Sequence, residues 1–336
     1  MQTIKQQHIA VLGAGSWGTA LAVLLASNGH QVTLWGRKQN VMQDMQTSRR
    51  NKQYLPDIQL PDNITADANL EATVSNADEV LLVVPSAAIS NIIDNIKPYL
   101  RNSARIAIAS KGFEPNHLML LHQVAQDKLG KQSVSCIISG PTFAKEVAKG
   151  LPTAITVASN NEQFAKDFAT YLSNDHFRAY TSSDVIGVEV GGAVKNVMAI
   201  AAGISDGLGF GANTRAALIT RGLAEITRLG IKLGGQVETF MGLAGLGDLI
   251  LTCTDNQSRN RRVGLALAQG KNLETILEEL GQVAEGVSST QKVFNLANTH
   301  QIDMPIVEQV YEVIYQNKSP MKAVEDLLKR EIKAEV

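Results

Sequence analysis

The glycine-rich segment Gly13-Ala14-Gly15-Ser16-Trp17-Gly18 constrains the fold of this chain more than any other part of the sequence. It follows the apolar run His8–Leu12 and precedes an Ala/Leu-rich stretch, Thr19–Asn28. Glycines at this spacing between a strand and a helix allow a tight turn, close approach of backbone to a pyrophosphate, and close helix-strand packing. Gly13, Gly15 and Gly18 therefore predict a dinucleotide site at the start of a βαβ unit. The alternative is a glycine-rich turn with only a structural role.

The pattern of apolar residues changes part-way along the chain. Short β-rich runs alternate with helical segments at first, which predicts a parallel sheet in βαβ units. Further predicted strands are Gln31–Trp35, Glu79–Val84, Arg105–Ala109, Val134–Ile138 and Ala154–Val157. From about Asp184 onward the β-rich runs disappear and apolar residues recur at helical spacing. Helices are predicted there over Val188–Ile204, Thr214–Leu229, Asn260–Ala268, Leu273–Glu279, Ser289–Asn298 and Pro305–Tyr315.

The length supports two domains, because 336 residues exceed the roughly 250–300 at which a single core stops growing. We predict an α/β N-terminal domain with a Rossmann-like, doubly wound parallel sheet over residues 1–183. An all-α C-terminal domain is predicted over residues 184–336.

Charge and apolar patterning narrow the class of protein. The formal net charge is -1, and the basic residues are spread along the chain, so we expect no nucleic-acid partner and only local anion sites.

The polar start, Met1–His8, lacks the features of a signal peptide. The longest apolar runs, such as Val80–Val84, have strand length, so no membrane insertion is expected. Cys136 and Cys253 have no metal-ligand spacing, which favours a reduced cytoplasmic protein without a disulfide framework or structural zinc.

The end of the second predicted strand bears on the choice of cofactor. NAD-preferring enzymes place an acidic residue there to bind the ribose 2′-hydroxyl, but this sequence reads Gly36-Arg37-Lys38. The planar guanidinium of Arg37 suits a 2′-phosphate, which favours NADPH over NADH. Alternatively, Arg37 and Lys38 are solvated loop charges.

Two segments that follow predicted strands carry candidate ligand groups. Ligands of open α/β sheets bind beyond the carboxyl ends of the strands. Lys111 could hold a substrate oxygen or phosphate there, unless it is an ordinary solvated lysine. In the segment Ser139-Gly140-Pro141-Thr142, the Thr142 hydroxyl and nearby N–H groups would form a small anion-binding nest.

The helical part contains one unusually placed cation, Lys195, within the small and apolar segment Glu189–Asn196. Lysine is rarely buried unless paired, and a desolvated lysine can serve as a proton donor or acceptor. Asp248, after the glycine-rich break Gly242–Gly247, could orient Lys195 or a substrate hydroxyl. The alternative is a lysine whose stem is buried and whose charge reaches solvent.

A second polar break, Asp255–Arg262, precedes a predicted helix. Ser258, Arg259 and Asn260 would offer a hydroxyl, a guanidinium and an amide at the helix start, which is a suitable cradle for a phosphate. Taken alone, such a charge cluster is more often a solvated face.

The motifs together resemble the bacterial-type NAD(P)-dependent glycerol-3-phosphate dehydrogenases over nearly the whole chain. The similarity lies in their sequence and in their order. The matching segments are Gly13–Gly18, Ser110-Lys111-Gly112, Ser139-Gly140-Pro141, Val194-Lys195-Asn196, Gly245–Asp248, Ser258-Arg259-Asn260 and Val283-Ala284-Glu285-Gly286.

The resemblance implies roles for individual residues. Lys195 would be the catalytic proton donor or acceptor. The residues expected around the substrate are Lys111, Gly140, Thr142, Lys195, Asp248, Ser258, Arg259 and Asn260. Those expected to contact the cofactor, besides the three glycines, are Ser16, Trp17, Arg37, Tyr54, Lys111, Ala144, Arg259, Val283 and Glu285. The resemblance also implies a homodimer that supplies glycerol 3-phosphate for phospholipid synthesis.

These expectations converge on reduction of dihydroxyacetone phosphate to sn-glycerol 3-phosphate by NADPH or NADH, a reaction that requires no metal. A β-hydroxyacid dehydrogenase of similar architecture is one alternative. Those enzymes typically carry an asparagine four residues after the lysine, whereas this chain has Ala199 there and Asn196 adjacent. A non-enzymatic dinucleotide sensor is the other alternative, which the set of Lys195, Asp248 and Arg259 disfavours.

Overall fold

A computed structural model describes residues 6–115, 118–130 and 133–331 of this chain. The chain divides into two compact units, Met1–Glu189 and Val190–Val336. The sequence predicted a boundary between residues 183 and 184, whereas this division falls a few residues later, within the helix Val185–Gly207.

The first unit is built on an eight-stranded sheet. Its described strands, together with those of a separate two-stranded sheet, are β1 (His8–Leu12), β2 (Gln31–Trp35), β3 (Arg50–Asn51), β4 (Leu55–Gln59), β5 (Ile64–Asp67), β6 (Glu79–Leu82), β7 (Arg105–Ile108), β8 (Ser135–Ser139), β9 (Thr153–Ala158) and β10 (Phe177–Ser182). The strand order of the large sheet is β10-β9-β8-β7-β6-β1-β2-β5. The order reverses around β1, so the doubly wound sheet predicted from the sequence is confirmed.

One pair of neighbours departs from the parallel arrangement, because β8 and β9 run antiparallel. The helix between them has five residues, so it rises only about 7–8 Å. A connection with so short a helix suits antiparallel neighbours, whereas parallel neighbours are usually joined by a longer crossover. The sequence reading also missed β5, β10 and the antiparallel pair β3–β4.

Helices connect the strands of the first unit. They are α1 (Ser16–Ser27), α2 (Gln39–Ser48), α3 (Leu70–Ser75), α4 (Ile89–Ile96), α5 (Leu121–Leu129), α6 (Ala144–Ala148) and α7 (Glu162–Leu172). Helix α1 is buried along most of its length because alanines and leucines cover nearly every face. It packs against the strands that carry Ile9, Val11 and Leu34, which are fully buried.

The second unit contains helices and no strand among the residues that the structure describes, which confirms the predicted all-α architecture. The helices are α8 (Val185–Gly207), α9 (Ala212–Lys232), α10 (Val237–Phe240), α11 (Asp248–Thr254), α12 (Arg259–Ala268), α13 (Leu273–Leu280), α14 (Glu285–His300), α15 (Pro305–Tyr315) and α16 (Pro320–Leu328). A π-helical segment, Leu243–Gly247, joins α10 to α11. The sequence reading missed α10, α11 and α16.

Helices α8 and α12 approach each other closely at two glycines. A Cβ on Gly203 would lie 2.1 Å from the carbonyl oxygen of Arg261, and one on Gly264 would lie 2.1 Å from that of Ile200. Both distances are far inside van der Waals contact, so only glycine fits at either position. The two helix backbones are therefore in direct contact, and this contact sets the distance between α8 and the start of α12.

Two helical stretches in the described part of the chain are long and apolar enough to cross a membrane by length and composition alone, Val185–Gly207 and Val237–Thr254. The sequence reading had expected apolar runs no longer than a strand. Valine, isoleucine and alanine keep the mean hydropathy of the first stretch high despite the charge of Lys195. This stretch is 94% buried within the protein and the second is 39% buried. Core helices of folded domains pass the same test, so the finding is weak evidence for a membrane span.

Candidate active site

The glycine-rich turn joins β1 to α1, and its three glycines have different surroundings. Gly13 has φ +127°, and a Cβ there would lie 2.7 Å from the carbonyl oxygen of Val83. A Cβ on Gly18 would lie 1.9 Å from the carbonyl oxygen of Gly13. By contrast, a Cβ on Gly15 would meet nothing within 4 Å. Gly13 and Gly18 are therefore required by packing, whereas Gly15 borders open space at the start of α1.

The start of α1 has the properties of an anion-binding helix end. Gly15 is the N-cap and contributes no side-chain acceptor, and the first turn carries no acidic residue. Ser16 and Trp17 form the first turn, and Trp17 Nε1 is buried with no hydrogen-bond partner. The exposed N–H groups and the positive end of the helix dipole can stabilise a phosphate or pyrophosphate there.

Asn51 holds the glycine-rich turn in place, a role that the sequence did not reveal. Its buried Nδ2 donates to the carbonyl oxygen of Ala14 over 3.0 Å and to Thr19 Oγ1 over 2.8 Å. Its Oδ1 accepts from the backbone N–H of Tyr54 over 3.2 Å. The segment that carries Tyr54 is thereby tied to the predicted pyrophosphate site.

Arg37 lies directly after β2, where the sequence placed it. Its side chain is exposed, and so is that of Lys38. Neighbouring Gly36 cannot carry a side chain without displacing Met42, whose Sδ would be 2.4 Å from the added Cβ. Arg37 is thus a solvent-facing cation just beyond the carboxyl end of β2, the strand paired with β1, beside the glycine-rich turn.

Three predicted residues meet at the carboxyl ends of β7 and β8. Lys111 Nζ donates to the carbonyl oxygen of Gly140 over 3.1 Å, and Thr142 Oγ1 donates to the same oxygen over 3.2 Å. Gly140 has φ +153°, and a Cβ there would lie 3.2 Å from Ile155 Cα. Pro141 to Phe143 then lead into α6, which begins at Ala144. The structure therefore brings Lys111, Gly140 and Thr142 together as a cluster with one ammonium and one hydroxyl.

In the second unit, Lys195 is 7% exposed and Asp248 is 1% exposed. Lys195 Nζ donates to Asp248 Oδ1 and to Thr252 Oγ1, each over 2.7 Å. Thr252 Oγ1 in turn donates to the carbonyl oxygen of Asp248 over 2.6 Å. The lysine is buried and paired, so the alternative of a charge that reaches solvent is wrong. Thr252 was missed, although its spacing of four residues from Asp248 places both on one helix face.

A close helix contact explains Gly191, the first of the paired glycines before Lys195. A Cβ on Gly191 would lie 2.6 Å from the carbonyl oxygen of Ala244, in the π-helical segment that precedes Asp248. Gly245 is equally restricted, since its Cβ would lie 2.2 Å from the carbonyl oxygen of Phe240. These approaches bring the start of α11 against α8 and position Asp248 beside Lys195.

The start of α12 carries the predicted phosphate cradle, and its side chains differ in what they contact. Ser258 is the N-cap, and its Oγ accepts from the backbone N–H of Arg261 over 3.2 Å. Arg259 is partly exposed, and its Nη1 lies 3.4 Å from Gln282 Oε1. A serine cap, a partly exposed guanidinium and the positive end of a helix dipole form a suitable site for an anion.

The buried amide of Asn260 joins three helices of the second unit. Its Nδ2 donates to Asn196 Oδ1 over 2.8 Å, and its Oδ1 accepts from the backbone N–H of Gly286 over 2.9 Å. This network places the start of α14, with Glu285 as its first residue, beside the cradle. Val283, just before that helix, is 53% exposed. Asn260 thus has a structural role, and its predicted contact with substrate stays a prediction.

Both halves of the chain match models of one protein family. Residues 8–165 match the N-terminal region, and residues 184–325 the C-terminal region, of NAD-dependent glycerol-3-phosphate dehydrogenase. This chain belongs to the NAD-dependent glycerol-3-phosphate dehydrogenase family. The family resemblance inferred from the motifs is therefore confirmed.

Relatives of known name and structure agree with this assignment. The chain is 54% identical over 328 residues to glycerol-3-phosphate dehydrogenase [NAD(P)+] of Pseudoalteromonas translucida, covering 97% of this chain and 98% of the relative. The crystal structure of glycerol-3-phosphate dehydrogenase from Coxiella burnetii is 48% identical, with a TM-score of 0.94 and coverage of 97% and 99%. The Saccharomyces cerevisiae enzyme GPD1 is 30% identical, with a TM-score of 0.83 and coverage of 97% and 100%.

One further solved dehydrogenase is related by fold alone. D-mandelate dehydrogenase is 13% identical with a TM-score of 0.62, which shows a shared fold. Among the residues that the structure describes, no group of three or more His, Cys, Asp or Glu side chains could hold a metal ion.

Proposed function

We propose that this family member catalyses the reversible reduction of dihydroxyacetone phosphate to sn-glycerol 3-phosphate with a nicotinamide dinucleotide. The observation that carries the proposal is the buried Lys195–Asp248–Thr252 cluster. A ketone reduction needs a proton donor beside the carbonyl oxygen, and a buried ammonium oriented by a carboxylate suits that task.

The glycine-rich turn supports the cofactor part of this proposal. Gly15 leaves room beside the start of α1, and Gly13, Ser16, Trp17 and Gly18 would complete the pyrophosphate site. The nicotinamide, when bound, supplies the hydride for the substrate carbon. The exposed guanidinium of Arg37 would pair with a 2′-phosphate, so we propose a preference for NADPH over NADH.

Arg259 and Ser258, at the start of α12, would hold the substrate phosphate. Charge-assisted bonds to a guanidinium are strong and directional, so this contact would fix the three-carbon substrate in one orientation. Binding energy from the phosphate would thus be used to orient the carbonyl group. Gly140, Thr142 and Asn260 would line the remaining substrate surface, and Lys111 would contact both substrate and cofactor.

Lys195 would move the proton. Its Nζ would donate to the oxygen as negative charge develops there, and the positive charge would stabilise the alkoxide before transfer. Asp248 would hold the ammonium in place and keep it charged between turnovers, and Thr252 would fix the direction of Nζ. Oxidation of glycerol 3-phosphate would use the same groups in reverse, with Lys195 as the proton acceptor.

Several parts of the proposal rest on the family resemblance. Tyr54, Ala144, Val283 and Glu285, together with Arg259, would contact the cofactor. The enzyme would act as a homodimer in the cytoplasm, require no metal, and supply glycerol 3-phosphate for phospholipid synthesis.

Oxidation of NADPH, followed by its absorbance, tests the activity. We expect rapid oxidation with dihydroxyacetone phosphate and negligible oxidation with a panel of 2- and 3-oxoacids. Turnover of a 3-oxoacid instead would indicate a β-hydroxyacid dehydrogenase, and binding of NADPH without any turnover would indicate a sensor.

A further inference from the structure

Arg261 is a buried cation that the proposed mechanism does not use. The residue is 7% exposed. Its Nη1 contacts Asp206 Oδ2 and lies 3.2 Å from the carbonyl oxygen of Cys253, while its Nε lies 3.1 Å from Asn256 Oδ1. A planar guanidinium can make several such bonds at once, which an ammonium with the same charge cannot do in the same geometry.

The charge of Arg261 is balanced at the far end of α8. Asp206 accepts from Arg261 and also from Arg215 Nη1, over 2.8 Å. Because a buried charge is costly unless it is paired, Asp206 makes burial of Arg261 possible. Arg215 is about one-third exposed, at 32%, and would keep Asp206 paired if Arg261 were replaced.

Arg261 contacts several points along the loop between α11 and α12 and at its two ends. Cys253 lies near the end of α11, the helix that carries Asp248 and Thr252. Asn256 is an exposed residue of the loop itself. The backbone N–H of Arg261 donates to Ser258 Oγ at the start of α12. One residue thus binds both ends and the middle of the segment that precedes Arg259.

The thiol of Cys253 shows that this cluster and the Lys195 cluster are close. Burial raises the pKa of Cys253 to about 12, and the positive charges of Lys195 and Arg261 both oppose that increase. The two cations therefore act on the same small region of the second unit.

We propose that Arg261 is a positioning residue that holds the α11–α12 loop so that Ser258 and Arg259 discriminate phosphorylated from unphosphorylated substrates. This inference rests on the proposed function, because it assumes that the start of α12 binds the substrate phosphate. Arg261 would act through Arg259 and Ser258 and would not itself touch the substrate.

Steady-state kinetics with dihydroxyacetone phosphate and with unphosphorylated dihydroxyacetone test the proposal. For Arg261→Met we expect kcat/KM for the phosphorylated ketone to fall about 10–100-fold, mainly through KM, since bonds to a charged group are lost. For dihydroxyacetone, kcat/KM should change less than about threefold. Arg261→Lys should recover part of the loss. Arg259→Ala, which removes the proposed phosphate partner itself, provides the reference for complete loss of discrimination.

Arg262→Met is the matched control. It removes the neighbouring arginine, which is exposed, and should leave both substrates unaffected. Asn256→Ala removes the contact between Asn256 and Arg261 at an exposed position of the loop. This variant tests the proposal if Arg261→Met does not fold. It should raise KM for dihydroxyacetone phosphate several-fold with kcat within about twofold.

If Arg261→Met folds, equal losses of kcat/KM with both substrates would overturn the proposal. If it does not fold, an unchanged KM for dihydroxyacetone phosphate in Asn256→Ala would overturn it. Failure of the proposed function would look different, because the unmodified protein would then not reduce dihydroxyacetone phosphate at all.

Discussion

Lys195 Nζ lies 2.7 Å from Asp248 Oδ1, and neither residue is more than 7% exposed. Removal of one partner from a buried pair leaves the other charge uncompensated, which is strongly destabilising. Glycine contacts at Gly191 and Gly245 hold the two helices that carry the pair. Variants of this pair must therefore be checked for folding before their kinetics are interpreted.

The first prediction concerns proton transfer. Folded Lys195→Met should bind NADPH yet lose about 10²–10⁴-fold in kcat with dihydroxyacetone phosphate, the usual range for general acid–base catalysis. Asp248→Asn should also slow turnover, and the double variant should lose less than the sum of the two free-energy changes because the residues act together. Near-normal kcat in folded Lys195→Met would contradict this role and make Lys111 the leading proton donor.

The second prediction concerns cofactor choice. Arg37→Asp removes a cation beside the proposed 2′-phosphate site and adds a negative charge. The affinity for NADPH should fall at least about tenfold more than that for NADH, because only NADPH loses a charge-assisted partner. Fluorescence titration with each cofactor measures both values. Lys38→Asp, at the adjacent exposed position, should change the affinities for NADPH and NADH by more similar amounts. Equal losses of affinity for the two cofactors in Arg37→Asp would exclude Arg37 from this role.

The third prediction compares two glycines of the same turn. Gly18→Ala places a Cβ 1.9 Å from the carbonyl oxygen of Gly13 and should lower the free energy of unfolding by roughly 1–3 kcal/mol. Gly15→Ala meets no atom within 4 Å, so stability should change by less than about 0.5 kcal/mol. Its methyl group would instead occupy the proposed pyrophosphate space and weaken NADPH binding. Unchanged NADPH affinity in Gly15→Ala would place the pyrophosphate elsewhere.

The fourth prediction concerns the pH dependence of stability. Burial raises the pKa of Glu225 to about 7, although its carboxylate accepts from the backbone N–H groups of Ile306 and Val307 at the start of α15. The unfolded chain releases this proton near pH 4.5, so the folded state binds more protons between that pH and about 7. The free energy of unfolding contributed by Glu225 should therefore decrease by roughly 3 kcal/mol as pH rises through this window.

Denaturant unfolding at several pH values measures this contribution. Glu225→Gln should remove this contribution to the pH dependence, and its amide oxygen can still accept from one of the two backbone N–H groups. The free energy of unfolding of Glu225→Gln, relative to that of the unmodified protein, should therefore increase as pH rises. Glu238→Gln, an exposed acid nearby in the chain, should show no such trend. A constant difference between Glu225→Gln and the unmodified protein across the window would contradict the raised pKa.

The sequence predicted the parts of the fold that local patterns specify. Strand β1, the glycine-rich turn and α1 were recognised because the apolar period and the glycine spacing are local signals. Strand β5 and the pair β3–β4 were missed, since their sequences are polar and their pairing depends on distant residues. The antiparallel direction of β9 was also missed, because strand direction depends on pairing with distant residues and no local pattern specifies it.

The candidate site was predictable to a similar extent. Lys195 was singled out from its unusual surroundings, with Asp248 as a residue that could orient either Lys195 or a substrate hydroxyl, and the structure places the two in contact. Thr252 and Asn51 were missed because their side chains act through hydrogen bonds that no local motif reveals. Arg261 looked like one member of a solvated basic cluster, and only its burial distinguishes it from Arg262.

The direct backbone contact of α8 with α12 at Gly203 and Gly264 has a thermal consequence. Heating first populates new side-chain rotamers, but no side chain separates the two backbones at this crossing. The distance between Lys195 and the start of α12 should therefore stay constant until the second unit unfolds cooperatively. Activity on heating should accordingly disappear at the unfolding temperature itself, with no preceding range in which a folded protein is inactive.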